Sequence, residues 1–358
     1  MQSSAPTLPR RHDHRIGVLG SGFIVNDCHL VSYRKYGLNP VAIASRTRAN
    51  AERVARHHEI AKVHEDYDAL LDDASIEVLD IAVTPDVQLD LIRRACRRRT
   101  LKGILAQKPL GMNLAEAREA VRLCDEAGIK LAVNQNMRHD PSVRAAHSLL
   151  ASGALGTPVF ASIDMRAIPH FQPWQQQLGW VTLRIMSIHH LDCLRHWFGD
   201  PQRIFCSTRS DPRTTFPHTD GICTYTLEYA DGLRCVGIDD IWTGPAREGC
   251  PGDIGIRYRI EGTDGIALGD IGWCKDPYTS PSTLRYARKG DAGFTEAPLQ
   301  GSWFPDAFAG TMADLLTAIE SNGDPVISGR DNLRTMALVD AAYASAAQHR
   351  VVELAEFH

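Results

Sequence analysis

Short apolar runs alternate with stretches of helical periodicity from Arg15 onward. The runs fall at 16–19, 41–44, 78–83, 103–105 and 130–134, and the stretches at 50–57, 86–98 and 114–127 repeat their apolar positions at the helical period. Strands apolar on both faces, alternating with helices, predict a doubly wound parallel sheet with helices on either side. Beyond Pro141 the texture changes. A helix at 142–152, a strand at 159–166, a Pro-, Gln- and Trp-rich loop at 169–180 and a strongly apolar helix at 183–198 come first. Alternating segments at 224–229, 233–238 and 257–261 follow, with turn sequences at Ala230-Asp231-Gly232 and Gly262-Thr263-Asp264-Gly265. These predict a large, mostly antiparallel open sheet, so the chain reads as α/β throughout, a parallel-sheet domain followed by a second α/β domain. Helices at 308–321 and 331–349 close the pattern.

At 358 residues the chain exceeds what one core usually sustains, about 250–300 residues. Two domains are therefore expected, at 15–138 and 139–358, behind a polar, proline-containing tail at 1–14 that lacks the apolar stretch of a signal peptide and is read as mobile. A formal charge of −4 makes no field that would gather nucleic acid or an anionic membrane. No stretch reaches the roughly 18 uninterrupted apolar residues of a spanning helix. Partners are expected to be small molecules and copies of the chain itself, with no nucleic acid and no membrane. The nine cysteines are scattered without a Cys-x-x-Cys pair, and no His or Cys cluster has ligand spacing. Free thiols in the cytoplasm and no metal are the expectation. The run Arg93-Arg94-Ala95-Cys96-Arg97-Arg98-Arg99 would spread around a helix and is read as a solvated face.

Chemistry first shows at Ile16-Gly17-Val18-Leu19-Gly20-Ser21-Gly22-Phe23-Ile24-Val25. Gly-x-Gly between a strand and a helix lets Gly20 make a tight turn and lets the backbone at Gly22 approach a pyrophosphate. The helix start at Phe23 and Ile24 then aims its free N–H groups at the anion. Val25 stands where the fingerprint has its third glycine. The second strand ends at Ser45-Arg46, without the carboxylate that usually binds the ribose 2′-hydroxyl of NAD. A hydroxyl and a guanidinium suit a 2′-phosphate instead, so NADP is favoured and NAD stays possible.

Two further motifs then carry a resemblance. Gln107-Lys108-Pro109-Leu110 resembles the Glu-Lys-Pro motif of the Gfo/Idh/MocA oxidoreductases, and Ser187-Ile188-His189-His190-Leu191-Asp192 is similar to that family's Gly-Val-His-x-x-Asp helix. Thr84-Pro85, Val133-Asn134-Gln135-Asn136-Met137-Arg138, Glu261-Gly262-Thr263-Asp264-Gly265 and Gly329-Arg330-Asp331-Asn332-Leu333 match in order and spacing, so the resemblance spans nearly the whole chain. It implies an N-terminal Rossmann domain, a C-terminal α/β domain with a large open sheet, a substrate cleft between the domains, and homodimers or homotetramers formed through that sheet. The implied activity is hydride transfer between a nicotinamide and the carbinol carbon of a sugar, cyclitol or glycoside. Thr84, Pro85, Gln107, Lys108 and Asn136 join the cofactor contacts on the same grounds.

Oxidation of a secondary alcohol needs the hydroxyl proton removed as hydride leaves, so an acid/base must touch that oxygen. Lys108 and His189 are the two candidates. A desolvated lysine loses basicity toward neutrality, and the resemblance makes the helix histidine the proton shuttle. Asp192, one turn past His189, is placed to orient the imidazole or to bind a substrate hydroxyl; a plain surface or capping role is the other reading. His190 points about 100° away from its neighbour and is assigned to packing or the rim of the cleft. Arg138, His170, Trp174 and Trp180 complete the expected substrate contacts, because indoles flanked by polar groups suit the C–H faces of sugars. Two departures from the family stand out: Ile185 replaces an aspartate found in the inositol dehydrogenase branch, and Gln107 replaces the motif glutamate. Two other readings stay open: a glycoside hydrolase or lyase that recycles a tightly bound NAD, and a non-catalytic NAD(P)-binding sensor.

Overall fold

The computed structural model describes residues 6–98, 100–167, 171–242, 254–275 and 278–357. The chain forms two compact units. One comprises Pro6–Asn136 and Phe304–Met336, the other Met137–Trp303 and the chain from Ala337 onward.

The first unit is built on β1 (Ile16–Leu19), β2 (Pro40–Ala44), β3 (Lys62–Val63), β4 (Val78–Ile81), β5 (Gly103–Ala106) and β6 (Lys130–Val133). All pairings are parallel, in the order β3-β2-β1-β4-β5-β6. The order reverses between β1 and β4, which opens a crevice at their carboxyl ends. The connecting helices are α1 (Leu30–Lys35), α2 (Arg48–His58), α3 (Tyr67–Leu71), α4 (Pro85–Ala95) and α5 (Leu114–Ala127). Local chemistry sets their ends: Asn113 accepts the Glu116 N–H at 3.0 Å to start α5, and Gly128 ends it in the left-handed region. Of the arginine run, Arg93 and Arg94 lie on α4 and Arg97 and Arg98 just past it, Arg99 falling outside the described residues; Arg93 pairs with Glu119, Arg94 with Asp68 and Arg98 with Asp72.

The second unit holds α6 (Pro141–Ala151), β7 (Pro158–Arg166), α7 (Pro173–Leu178) and α8 (Ile188–Phe198). Strands β8 (Arg203–Arg209), β9 (Ile222–Glu228), β10 (Arg234–Asp240), β11 (Gly255–Gly262), β12 (Gly265–Ile271), β13 (Trp273–Lys275), β14 (Tyr278–Ser280), β15 (Thr283–Arg288) and β16 (Thr295–Glu296) follow. The chain closes with α9 (Asp306–Ser321), α10 (Gly329–Gln348) and β17 (Val352–Glu353). Nine strands form one sheet, β16-β15-β12-β11-β7-β10-β9-β8-β17, with β13 and β14 as a separate hairpin. Only β7 and β10 run parallel; the other described pairs in this sheet are antiparallel. In β10, Cys235, Gly237 and Asp239 face inward while Arg234, Val236 and Ile238 face out. Gly237 is inward because the ring of Tyr225 lies on it, where a β-carbon would come within 1.9 Å of the ring.

Three expectations change. The segment at 169–180 is not all loop, because Pro173 opens α7, Gln172 and Gln175 cap it reciprocally, and Gly179 closes it. The two boundaries drawn near residue 138 leave out a return: α9 packs over β5 and β6, its Met312, Leu315 and Leu316 entering the same core as Ile16, Val18 and Leu105. The opening segment is also held from Arg10 on, since the Arg10 and Arg11 N–H groups each donate to Glu320 of α9 at 2.9 Å and His14 is buried beside the same carboxylate. Gly237→Ala should displace the Tyr225 ring and lower unfolding stability by about 1–3 kcal/mol, measured by denaturant titration; unchanged stability would mean that the ring does not rest there.

Candidate active site

The turn after β1 is shaped to admit an anion. Gly20 has φ +121°, and a β-carbon on it would lie 2.3 Å from the Ala82 carbonyl oxygen, so no side chain fits. Gly22 is the reverse case: among the described residues, chain neighbours aside, no atom comes within 4 Å of where its β-carbon would be, which leaves the backbone open to a ligand. Ile24–His29 then forms a widened helical turn, in which the Leu30 N–H reaches back to the Val25 carbonyl, before α1 begins. Val25 is fully buried, so the missing third glycine is a packing position here. Phe23 is exposed and stacks on Phe304. At the end of β2 the Ser45 hydroxyl lies 2.7 Å from the Ser21 hydroxyl, and Arg46 is exposed beside it. Bare backbone at the phosphate turn and hydroxyl with guanidinium at the ribose position fit a dinucleotide.

Lys108 follows β5 in a loop whose backbone is fixed from behind. Gln107 donates its N–H to Ile81 of β4 at 3.0 Å, and its side-chain oxygen accepts the Lys108 N–H at 2.9 Å. Gln88, buried on α4, donates to the Gln107 carbonyl at 2.6 Å and accepts the Gly111 N–H at 2.8 Å. Thr84 and Pro85 start that helix, Pro85 buried at its first turn. By surface area the Lys108 side chain is only half-buried, yet desolvation pushes its ammonium down to about 7. Gln107, in place of the motif glutamate, brings no charge of its own beside it. Asn136 is buried at the end of this unit. Gln135, absent from the sequence-derived candidates, is buried with neither amide atom partnered among the described residues, and such a group gains most from a bound molecule that hydrogen-bonds it.

In the second unit α8 carries the histidines, and its entry is anchored by a residue the motifs did not point to. Asp220 is buried in the loop before β9 and accepts the N–H groups of Val181, Thr182 and Leu183 at 3.1, 3.1 and 2.8 Å, and the Tyr343 hydroxyl at 2.8 Å. The anion site at this helix entry is therefore filled by the protein's own carboxylate. His189 is buried, with its ring edge-on to the indole of Trp303 at 5.8 Å. His190 is turned to the sheet: its Nδ1–H donates to Asp239 of β10 at 2.7 Å with both side chains fully buried, so it is a peg in the core and not a rim residue.

Asp192 and Arg138 are spent on each other. They form a buried, two-pronged ion pair at 2.5 and 2.7 Å; the sequence points instead to Asp192 orienting His189, binding substrate or serving as a plain surface or capping residue, and to Arg138 contacting substrate. Trp180 lies over the Arg184 guanidinium, which also faces Tyr343 and pairs with Asp340. Its indole is thus partly engaged by a cation and less free as a sugar platform. Trp174 sits half-buried on α7, Ile185 is half-buried on the widened turn before α8, and His170 falls outside the described residues.

Removing the Asp220 carboxylate would leave three buried N–H groups without an acceptor. Asp220→Ala should cost at least about 3 kcal/mol of stability and lower turnover through misplacement of α8, with Asp220→Asn in between. Equal melting temperatures for the three proteins would show that Asp220 does not hold the helix.

Comparison with known proteins follows the same division of the chain. Residues 14–135 match the model described as the oxidoreductase family with an NAD-binding Rossmann fold, and residues 143–268 match the GFO/IDH/MocA C-terminal domain. The chain is 27% identical to D-apiose dehydrogenase of Paraburkholderia graminis, over 94% of this chain and 88% of that one. It is 25% identical to inositol 2-dehydrogenase of Rhizobium meliloti, over 95% of this chain and 99% of that one. In fold it is similar to an oxidoreductase from Agrobacterium radiobacter solved in complex with NAD+, L-tartaric acid and magnesium, with a TM-score of 0.79, 24% identity, and 97% and 100% of the two chains covered. With a glycine turn built for a pyrophosphate, a desolvated lysine after β5 and both halves matched by models of one family, the protein is a member of the Gfo/Idh/MocA oxidoreductases, an NAD(P)-dependent enzyme on a Rossmann fold.

Proposed function

We propose that the protein is a dehydrogenase or reductase of a sugar, cyclitol or related glycoside, with NADP as the preferred cofactor and Lys108 and His189 as its acid/base residues. The observation that carries this reading is Lys108: an amine whose burial brings its ammonium to about 7 exchanges a proton with a substrate hydroxyl near neutrality. The polyhydroxylated substrate class is supported by the relatives named for D-apiose and inositol. When bound, the nicotinamide supplies the hydride acceptor or donor. Lys108 then takes the hydroxyl proton during oxidation and returns it during reduction, and His189, buried against Trp303, is the second acid/base group of this reading.

The pH dependence follows from the sign of the shift. Burial disfavours the charged amine, so below about 7 Lys108 is a cation and above it a neutral base. Alcohol oxidation should therefore rise through that pH to a plateau, and reduction should fall through it. Lys108→Met should remove the inflection and lower kcat by about 10²–10⁴-fold, with His189→Ala also impaired. A Lys108→Met enzyme that keeps its rate and its pH profile contradicts the assignment.

The preference for NADP rests on Arg46, exposed at the end of β2, and on Ser45, with no carboxylate at either position. Arg46→Ala should weaken NADP binding by about tenfold while leaving NAD nearly unchanged, because a guanidinium–phosphate pair is charge-assisted. Calorimetric titration of both cofactors reads this directly; equal losses for the two would remove the 2′-phosphate contact.

A further inference from the structure

The first unit contains a buried polar chain that hydride chemistry does not use. The Asn134 side-chain amide donates to His29 Nε2 at 2.8 Å, the His29 Nδ1–H donates to Asp80 Oδ2 at 2.7 Å, and the Tyr33 hydroxyl donates to the same oxygen at 2.9 Å. All four side chains are at most 1% exposed. They lie in the apolar layer where Leu30, Tyr33, Met312 and Leu315 meet the sheet, with the His29 ring 5.3 Å from that of Phe308. A polar chain in such a place is kept only if its members hold one another in a fixed arrangement, since each would be costly alone.

The positions it joins are those that build the nucleotide site. His29 is the last residue of the widened turn that follows Gly22. A turn of this kind, closed from Leu30 to Val25, is rare and mostly occurs as a single local insertion at functional sites. It inserts one residue and so rotates every later side chain by about 100°. Here that rotation is matched by His29 meeting Asp80 at the core. Asp80 lies on β4, and the next residue, Ile81, accepts the Gln107 N–H at 3.0 Å. Asn134 follows β6, its own N–H donates to Ala106 at 2.8 Å just before Gln107-Lys108, and the unpartnered Gln135 comes next.

We infer that Asn134, His29 and Asp80 are positioning residues that lock the phosphate-binding turn to the ends of β5 and β6, so that the bare backbone at Gly22 and the Gln107-Lys108 loop are held in one register for the dinucleotide. The hydrogen-bond directions fix the state in which the lock operates. Asn134 donates to Nε2, the His29 Nδ1–H donates to Asp80, and Asp80 accepts from two donors. Tyr33 serves the same carboxylate but sits on α1 beyond the turn and, among the described residues, makes no hydrogen bond to β6 or to Asn134. It is the internal control. This inference rests on the proposed function through its probe, NADPH: a wild-type protein that fails to bind NADPH contradicts that reading, whereas the variants' affinity relative to the wild type decides this one.

The test uses the full-length protein with NADPH as the probe and three variants, each checked by circular dichroism and thermal melting. His29→Asn keeps a donor near Asp80 but cannot reach Asn134, and Asn134→Leu keeps the volume but cuts the same link from the other side. Tyr33→Phe removes a hydroxyl only. The two link variants should raise the NADPH Kd and KM by about tenfold or more, as small misplacements of binding groups do, while the sugar KM at saturating NADPH stays near the wild-type value. Tyr33→Phe should lower the melting temperature and leave the NADPH Kd within about twofold. Folded His29→Asn and Asn134→Leu proteins that bind NADPH like the wild type overturn the proposal. So does a Tyr33→Phe protein that loses as much affinity as they do, because the chain would then be core packing alone.

Discussion

A carboxylate buried on a sheet strand and met by a histidine from the helix above it is the interaction on which both halves of this protein depend. Asp80 with His29 ties the nucleotide-binding turn to β4, and Asp239 with His190 ties α8 to β10. Apolar packing alone lets a helix slide along a sheet by small steps at little cost, because dispersion contacts are numerous and alike. A single short hydrogen bond in a dry core removes that freedom, since slipping it exposes an unpaired donor and acceptor where water cannot replace them. Residues that must present a backbone or a side chain within fractions of an ångström gain from such a peg more than from added burial.

Electrostatics is arranged around the same need. The entry to α8 would attract an anion, but Asp220 already fills it with an acceptor for three successive N–H groups. Asp192, one turn beyond His189, is neutralised by Arg138 in a buried pair, and Arg184 is held by Asp340 and two rings. The charges near His189 on its own unit are thus committed to structure. At Lys108 desolvation lowers the ammonium to about 7, within the range where an amine can act as a base.

Sequence order hides some of this and displays the rest. The strands β1, β2, β4, β5 and β6 were legible because a parallel sheet covered on both faces demands continuous apolar runs, whereas β3 has two residues, one of them lysine, and leaves no pattern to detect. Gly20 and Gly22 were legible because a strand-to-helix turn that meets a phosphate has few chemical solutions. Asp80, Asp220 and Asp239 were not, since each acts on a partner roughly 40 to 50 positions away, and no local periodicity reports a pair of that span. Asp192 and Arg138 looked like site residues for the same reason that they are buried together: polar groups in an apolar helix signal a task without saying which.

What the sequence by itself determined is the layer architecture, the phosphate turn, the lysine after β5 and the histidine helix, because these follow from local periodicity and from backbone conformations that few residues can adopt. Only the tertiary structure decided which polar groups are spent on one another and which stay available, and that the 304–336 segment returns to complete the first core. The reason is physical: a hydrogen bond or an ion pair in a desolvated interior depends on distance and dielectric, quantities that exist once the chain has folded and are written nowhere along it.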